Sequence, residues 1–166
     1  MNASPLLHRI ARALADCRLE AVLVGNAAAA LQGATVTTLD FDFMFRKTPL
    51  NLKKLKAFAA ALGATIFKPY YPASDLYRVV NDDVGLQCDF LARLHGVRSF
   101  AGLRSRATQV TFGGCSILVA DLRDVVRSKR AAGRPRDLAV LDLLEEVLHE
   151  KEAAQEERKG RAAQGD

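Results

Sequence analysis

At 166 residues the chain is long enough for one domain with a hydrophobic core and too short for two comfortable ones. Apolar residues make up 49% of it and charged residues 26%, a balance that excludes a disordered or fibrous protein. The formal net charge is +5, and the three cysteines and three histidines are too scattered for a disulfide framework or a zinc site.

The positive charge is concentrated in the middle of the chain. Residues 93–136 hold ten Lys/Arg and two Asp/Glu, whereas residues 137–166 hold four and nine. Such an excess either attracts the phosphates of a nucleotide or of RNA, or is a solvated surface that the acidic C-terminal helix neutralises. The sequence leaves both interpretations open.

No apolar run reaches the roughly eighteen residues that a membrane span requires. The N-terminus also lacks the basic and then apolar pattern of a signal peptide. We therefore expect a cytoplasmic protein that has no membrane partner.

The first third of the chain predicts alternating helices and strands. A 3.6-residue period predicts a helix over residues 5–18, and the apolar segment EAVLVG predicts a short buried strand that ends in a turn at Gly25. The segment NAAAALQG predicts two helical turns closed by Gly33. TLDFDFMF alternates with a period of two, which predicts a strand. One face of that strand carries Asp40, Asp42 and Met44, and the other carries Leu39, Phe41, Phe43 and Phe45.

The remainder predicts four more helices and four more strands. A helix runs from Thr48 to a stop at Gly63, and ATIFKP, LYRVVN and LQCDFLAR predict strands, the last two joined as a hairpin by NDDVG. SFAGLRSRAT predicts a short helix, CSILVA a strand, and Asp121 the cap of a helix over LRDVVRSKRAA. The last helix presents an apolar face made of Leu138, Leu141, Leu144, Val147 and Leu148.

From about Lys151 the chain has almost no large apolar residue, which predicts a frayed or disordered tail. We therefore expect one domain over residues 1–150, followed by a charged tail over residues 151–166.

Three aspartates form the candidate chemical site. Asp40 and Asp42 are two apart on one strand and project from the same face, and Asp89 lies on another predicted strand. Two carboxylates so close together repel unless a cation lies between them, and their hard oxygens suit Mg²⁺ or Mn²⁺. Upstream, Gly25 and Asn26 start a helix whose first N–H groups suit a phosphate. Taken singly, each feature is also compatible with a polar strand face, an ordinary turn or an edge charge.

The order VLVGNAAAALQG, TTLDFDF and LQCDFL resembles the pattern of the nucleotidyltransferase superfamily. In that pattern a strand leads into a glycine turn and a helix, a hydrophobic-Asp-hydrophobic-Asp strand follows, and a third Asp lies on a later strand. The likeness covers residues 21–45 and 86–91. Residues 122–144 also resemble the Lys-x-x-x-x-Arg-x-x-Asp segment of small bacterial members related to abortive-infection toxins.

This resemblance implies an α/β (α+β) fold, with a mixed β-sheet flanked by helices in a single domain with C-terminal helices. It implies that Asp40, Asp42 and Asp89 bind the metal and carry catalysis. Gly25 and Asn26 would bind the triphosphate through their backbone, and Lys129 or Arg130 would neutralise phosphate charge. Arg134 and Asp137 would form a structural ion pair.

The chain departs from the pattern at two positions. Asn26 replaces the second Gly or Ser of the glycine turn, where a triphosphate would approach. Val36 stands four residues before Asp40, where relatives often carry Arg. Neither change removes a proposed metal ligand.

The function implied is a metal-dependent nucleotidyltransferase that moves a nucleoside monophosphate from an NTP to an acceptor hydroxyl and releases pyrophosphate. The acceptor would be tRNA or another RNA, a protein or a small molecule, and the enzyme would be the toxin of a toxin–antitoxin pair with an antitoxin partner. The alternative is a catalytically degenerate module of the same fold that binds RNA or a protein partner. A third reading is a structural protein that dimerises through its C-terminal helix.

Overall fold

A computed structural model describes residues 4–38, 40–68 and 75–165 of the chain. Its helices in these ranges are α1 (Ser4–Cys17), α2 (Gly25–Leu31), α3 (Pro49–Ala61), α4 (Phe100–Arg106), α5 (Leu122–Ala132) and α6 (Pro135–Gln164), with a 3-10 helix at Asp82–Val84. The strands are β1 (Ala21–Val24), β2 (Phe41–Phe45), β3 (Thr65–Phe67), β4 (Leu76–Asn81), β5 (Leu86–Leu91), β6 (Thr108–Phe112) and β7 (Cys115–Val119).

All of these strands belong to one mixed sheet, in the order β3-β4-β5-β2-β1-β7-β6. The pairs β2–β5 and β1–β7 are parallel, and the other neighbours are antiparallel. Parallel neighbours require a crossover, which the intervening helices provide. The mixed sheet with flanking and C-terminal helices confirms the predicted fold class.

The core lies on both sides of the central strand β2. On one face, the ring of Phe43 stacks on Phe90 of β5 at 5.1 Å, and Phe58 of α3 packs edge-on against Phe90 at 5.3 Å. The other face packs against α2, which in turn contacts α5, and α5 contacts α6. Because side chains alternate along a strand, the residues between these phenylalanines face α2 and α5.

A single buried amide ties α3 to the sheet. Asn51 is 1% exposed, and its side chain accepts a hydrogen bond from the Glu20 N–H at 3.2 Å. It also donates to the carbonyl oxygens of Glu20 at 3.2 Å and Arg46 at 2.7 Å. The amide thus provides hydrogen-bond partners for backbone groups just before β1 and just after β2, beyond the last paired residues of the two strands.

The predicted β4–β5 hairpin is confirmed, as is the cap at Asp121, whose side chain accepts from the Arg123 N–H at 2.8 Å. Two strand predictions need correction. The strand β6 was not predicted: the predicted helix SFAGLRSRAT extends to Thr108, which is the first residue of β6, and no element is predicted for residues 109–112. The strand β2 begins only at Phe41, so that Asp40 precedes it at a bend; Leu39 lies outside the described residues.

The last helix differs from its predicted pattern at one end. Leu144 is fully buried, but Leu138 is 52% exposed, so it does not belong to the apolar face. Beyond about Lys151, where the sequence predicts a frayed or disordered tail, α6 continues to Gln164 with exposed side chains over residues 153–164, and the separate tail stays a prediction. No helix among the described residues combines the length and the apolar character needed to cross a lipid bilayer.

Much of the basic segment is paired with acids from elsewhere in the chain. Within the described ranges, Arg123 binds Glu152 of α6 at 2.9 Å, Arg130 binds Glu145 of α6, and Arg104 binds Glu20 at 2.9 Å. The acidic C-terminal helix therefore neutralises part of the positive charge, as one of the two sequence interpretations holds.

Candidate active site

Three charged residues lie side by side across adjacent strands. Asp42 of β2 is the register partner of Asp89 on β5, and Asp89 is the register partner of Arg78 on β4. Registered neighbours project from the same face of a sheet, at strand spacings of about 4.8 Å. The fold therefore brings two of the predicted aspartates together and places a cation beside them that the sequence analysis did not identify.

The side chain of Asp89 is held by Arg78. The guanidinium donates from Nε to Oδ1 at 2.9 Å and from Nη2 to Oδ2 at 3.0 Å. Such two-point pairing is the strongest arrangement of an arginine and a carboxylate. The register of the β4–β5 hairpin, counted outward from NDDVG, is the sequence signal that predicts this pair.

Gly25 lies against Asp42 on the opposite side from Asp89. Val24 at the end of β1 is the register partner of Asp42, and α2 begins at the next residue. Gly25 has a φ of +66°, and a Cβ built on it would lie 2.8 Å from Oδ2 of Asp42. Both the left-handed backbone and the missing space require glycine here.

The carboxyl of Asp42 ionises with difficulty. Burial is the largest cause, followed by the neighbouring Asp89 and then Asp40, and together they raise the pKa of Asp42 to about 6. Lys129 and Arg136 act in the opposite direction with smaller effects. The nearby cations thus do not compensate for burial and for the charges of the neighbouring aspartates. A bound metal ion would favour the ionised form of Asp42.

Asp40 is placed differently from its two companions. It is exposed at the bend before β2, although it acts on Asp42 through its charge. The described residues contain no group of three or more His, Cys, Asp or Glu side chains gathered as metal ligands. The structure thus brings Asp42 and Asp89 together and leaves Asp40 at the rim.

Two cations line the opposite wall of the site. The side chain of Lys129 on α5 is only 12% exposed, lies 3.6 Å from Oδ1 of Asp137 and has its pKa lowered by burial. Arg136, at the start of α6, lines the same cleft, and within the described residues it forms no ion pair. Lys129 was predicted here from the sequence, whereas no specific signal in the sequence marks Arg136.

The alternative to Lys129 is excluded from this wall. Arg130 points toward Glu145 of α6 and does not line the cleft. The predicted ion pair of Arg134 and Asp137 is present, with Nε donating to Oδ2 at 2.6 Å and Nη2 donating to Oδ1 at 3.3 Å.

These residues surround an open cleft of about 600 Å³. Its lining includes Gly25, Asn26, Asp40, Asp42, Arg78, Asp89, Lys129 and Arg136. The volume is typical of a site for a ligand of nucleotide size. The strand side, here called the acidic wall, has more acids than cations, since it carries the three aspartates and Arg78. The helix side, here called the basic wall, carries Lys129, Arg134 and Arg136 together with the two acids Asp124 and Asp137.

A divalent cation fits the acidic side. Asp40 and Asp42 have no ion-pair partner in the described parts of the chain. The Oδ1 atom of Asn26, in the same cleft, is buried without a hydrogen-bond partner there. Carboxylate and amide oxygens are hard donors of the kind that Mg²⁺ and Mn²⁺ prefer.

Comparison with solved structures identifies the architecture. The antibiotic-resistance factor ANT(2'')-Ia in solution aligns with a TM-score of 0.59 and 15% identity over 97% of this chain and 95% of that chain. Its complex with adenylyl-2''-tobramycin aligns with a TM-score of 0.57 and 15% identity over 95% and 99%.

A candidate nucleotidyltransferase from Thermotoga maritima aligns with a TM-score of 0.60 and 16% identity over 83% of this chain and 89% of that one. No protein-family model matches the sequence, and no curated protein matches it significantly. The likeness to these proteins is therefore a likeness of fold. The chain adopts the fold of the nucleotidyltransferase superfamily.

Proposed function

We propose that the chain is a metal-dependent nucleotidyltransferase, which transfers a nucleoside monophosphate from an NTP to an acceptor hydroxyl and releases pyrophosphate. The observation that carries this proposal is the pairing of Asp42 with Asp89 beside the Gly25 turn, opposite Lys129 and Arg136 in one cleft. Carboxylates on one wall and cationic side chains on the other suit a metal-bound nucleotide, because the carboxylates can hold the metal ion and the cations can bind the triphosphate.

In this proposal, Asp40 and Asp42 hold a Mg²⁺ or Mn²⁺ ion. When bound, the cation would neutralise charge on the phosphates of the nucleotide. Lys129 and Arg136 bind the phosphates from the basic wall, and Gly25 and Asn26 let the chain approach them closely through the backbone. These contacts orient the α-phosphate toward the acceptor.

The acceptor hydroxyl would approach from the side of Asp89. A carboxylate that accepts a hydrogen bond from this hydroxyl orients it and takes its proton as the new bond to phosphorus forms. Pyrophosphate then leaves toward the basic wall, where Lys129 and Arg136 stabilise its charge. The reaction uses NTPs, so the proposal places the protein in the cytoplasm.

Isothermal titration of each NTP, with Mg²⁺ or with EDTA, tests the binding step. We expect binding that requires the cation and that Asp42→Asn abolishes. Asp83→Asn, which removes an exposed acid of the 3-10 helix, is the matched control and should bind like the wild type. Equal binding with and without metal in all three proteins would remove the basis for the proposal.

The acceptor is identified by transfer of label. The protein is incubated with each α-labelled NTP, Mg²⁺ or Mn²⁺, and separately with total RNA, with cell lysate and with tobramycin, since ANT(2'')-Ia binds adenylyl-2''-tobramycin. Labelled RNA or protein would suit a toxin controlled by an antitoxin, whereas a labelled small molecule would suit an enzyme of the resistance type. Asp42→Asn should transfer no label in any of these mixtures.

A second function is favoured by the Arg78–Asp89 pair and by Asn26. Both reduce the likeness to a catalytic site, which suits a degenerate module that binds RNA or a protein. Such a module would bind RNA with an affinity that falls steeply with salt and that ignores Asp42→Asn. The paired state of Arg104, Arg123 and Arg130 disfavours it, because those cations already have partners.

A further inference from the structure

The two acidic neighbours in the cleft have very different partners. Both oxygens of Asp89 accept hydrogen bonds from Arg78, at 2.9 and 3.0 Å. Asp42, one strand away, has no ion pair within the described residues. A cation is therefore already paired with Asp89, whereas none in the described parts of the chain is paired with Asp42.

The net charge of the acidic wall indicates how many divalent cations it can bind. Arg78 and Asp89 neutralise each other, and the remaining charge belongs to Asp40 and Asp42. Two carboxylates match one divalent cation in charge. Mg²⁺ is commonly held by one or two carboxylates together with substrate phosphates, so this pair is a sufficient protein ligand set for one ion.

A second ion at Asp89 would meet two obstacles. It would share the carboxylate with a guanidinium about 3 Å from the oxygens, and like charges at that separation repel strongly in a partly buried site. Alternatively it would displace Arg78, whose side chain is 42% exposed and lies over an Asp89 side chain that is only 12% exposed. Breaking a two-point pair to a buried carboxylate is costly.

We infer that the Arg78 guanidinium is the permanent partner of Asp89, so that the chain binds a single divalent cation, at Asp40 and Asp42, rather than a pair. This inference rests on the proposed function. It makes Arg78 a positioning residue that fixes the orientation of Asp89 toward the acceptor hydroxyl. Asp89 is then excluded from the metal ligands that the family resemblance implies.

The number of bound ions is measured by electron paramagnetic resonance of Mn²⁺. Mn²⁺ is titrated into the full chain with a saturating α,β-methylene analogue of the NTP that binds most tightly. We expect one bound Mn²⁺ per chain in the wild type and in Asp89→Asn. We expect two in Arg78→Gln, and one again in the double variant Arg78→Gln/Asp89→Asn.

The matched control is Arg106→Gln. Arg106 pairs with Asp124 through the same two-point geometry, at 2.8 and 3.0 Å. Asp124 also lines the cleft, but it lies on α5 and not on the strands that carry Asp42 and Asp89. Because Arg127 also lies 3.5 Å from Oδ1 of Asp124, the double variant Arg106→Gln/Arg127→Gln is measured beside it, and both should keep the count at one. A second ion in either control would show that any freed carboxylate binds metal and would overturn the specific role of Arg78.

Two Mn²⁺ ions in the wild type, one of them lost in Asp89→Asn, would also overturn the inference. These two proteins decide the question even if Arg78→Gln does not fold. No Mn²⁺ bound to the wild type in the presence of nucleotide would instead overturn the proposed function itself. The two failures therefore differ in the number of ions counted.

Discussion

Gly25 and Asp42 lie so close that no side chain fits between them: a Cβ on Gly25 would stand 2.8 Å from Oδ2 of Asp42. The glycine directly follows β1 and starts α2, and the carboxylate projects toward that junction from β2. The turn that would receive phosphate and the acid that would hold metal are thus packed directly against each other.

Gly25→Ala should therefore move the Asp42 carboxylate. Gly85→Ala is its matched control, because Gly85 has the same φ of +66° and open space around it. We expect Gly85→Ala to lower the free energy of unfolding by about 1–2 kcal/mol through backbone strain alone. Gly25→Ala should lower it by about 3 kcal/mol and also weaken metal-dependent NTP binding. Urea denaturation and calorimetry measure the two effects, and equal losses in both variants would contradict the close contact.

The pKa of Asp42 predicts how stability changes with pH. The folded protein holds this proton more tightly than the unfolded chain, since the pKa rises from 3.8 to about 6 through burial and then Asp89. The resulting stabilisation is fully present below the pKa of Asp42 in the unfolded chain. It is lost as the pH rises through the pKa of Asp42 in the folded protein. From about pH 4 to pH 8, the metal-free wild type should lose roughly 2–3 kcal/mol relative to Asp42→Asn.

Urea denaturation in EDTA across this range measures that difference. Asp42→Asn is the stability reference because it cannot ionise at the same position. A constant free-energy difference between the two proteins from about pH 4 to pH 8 would show that Asp42 titrates normally. Added Mg²⁺ with NTP should restore the wild type at high pH, because the ion binds the ionised carboxylate.

Lys129 and Arg130 are adjacent in sequence but face different surroundings. Lys129 is 12% exposed in the cleft, whereas Arg130 is 61% exposed and pairs with Glu145. Lys129→Gln should therefore weaken NTP binding about tenfold, or roughly 1.4 kcal/mol, and Arg130→Gln should leave it unchanged. Calorimetry of both variants with the same nucleotide tests this. Equal losses would indicate a diffuse electrostatic effect of the basic segment instead of a contact in the cleft.

Asn51 should be the most sensitive polar position outside the cleft. Asn51→Ala removes three hydrogen bonds from backbone groups of Glu20 and Arg46, so we expect a loss of about 2–4 kcal/mol in the free energy of unfolding. Leu50→Ala alters the preceding residue, which is 63% exposed, and should change stability by about 0.5 kcal/mol or less. Similar denaturation midpoints for the two variants would refute this role of Asn51.

The local pattern of the chain was enough to place most elements and part of the cleft. Apolar residues with a period of two or 3.6, together with glycine and capping residues, mark the ends of α1, α3, β4 and α5 within a few residues. The same local signals located Asp42 and Asp89 on their strands and Gly25 directly after β1. The strand β6 was missed because its threonines and glutamine have little apolar character, and its pairing with β7 is what orders it.

Other features follow from contacts between segments that are distant in sequence. Arg78 meets Asp89 through strand register, and Arg136 reaches the cleft because α6 packs on α5. Successive residues of an α-helix point about 100° apart, so Lys129 faces the cleft while Arg130 faces α6. Periodicity reports which face of an element is apolar, but it carries no information about which charged groups from other elements face it. Packing between segments likewise sets the ionisation of Asp42, through burial first and then through the charges of Asp89 and Asp40.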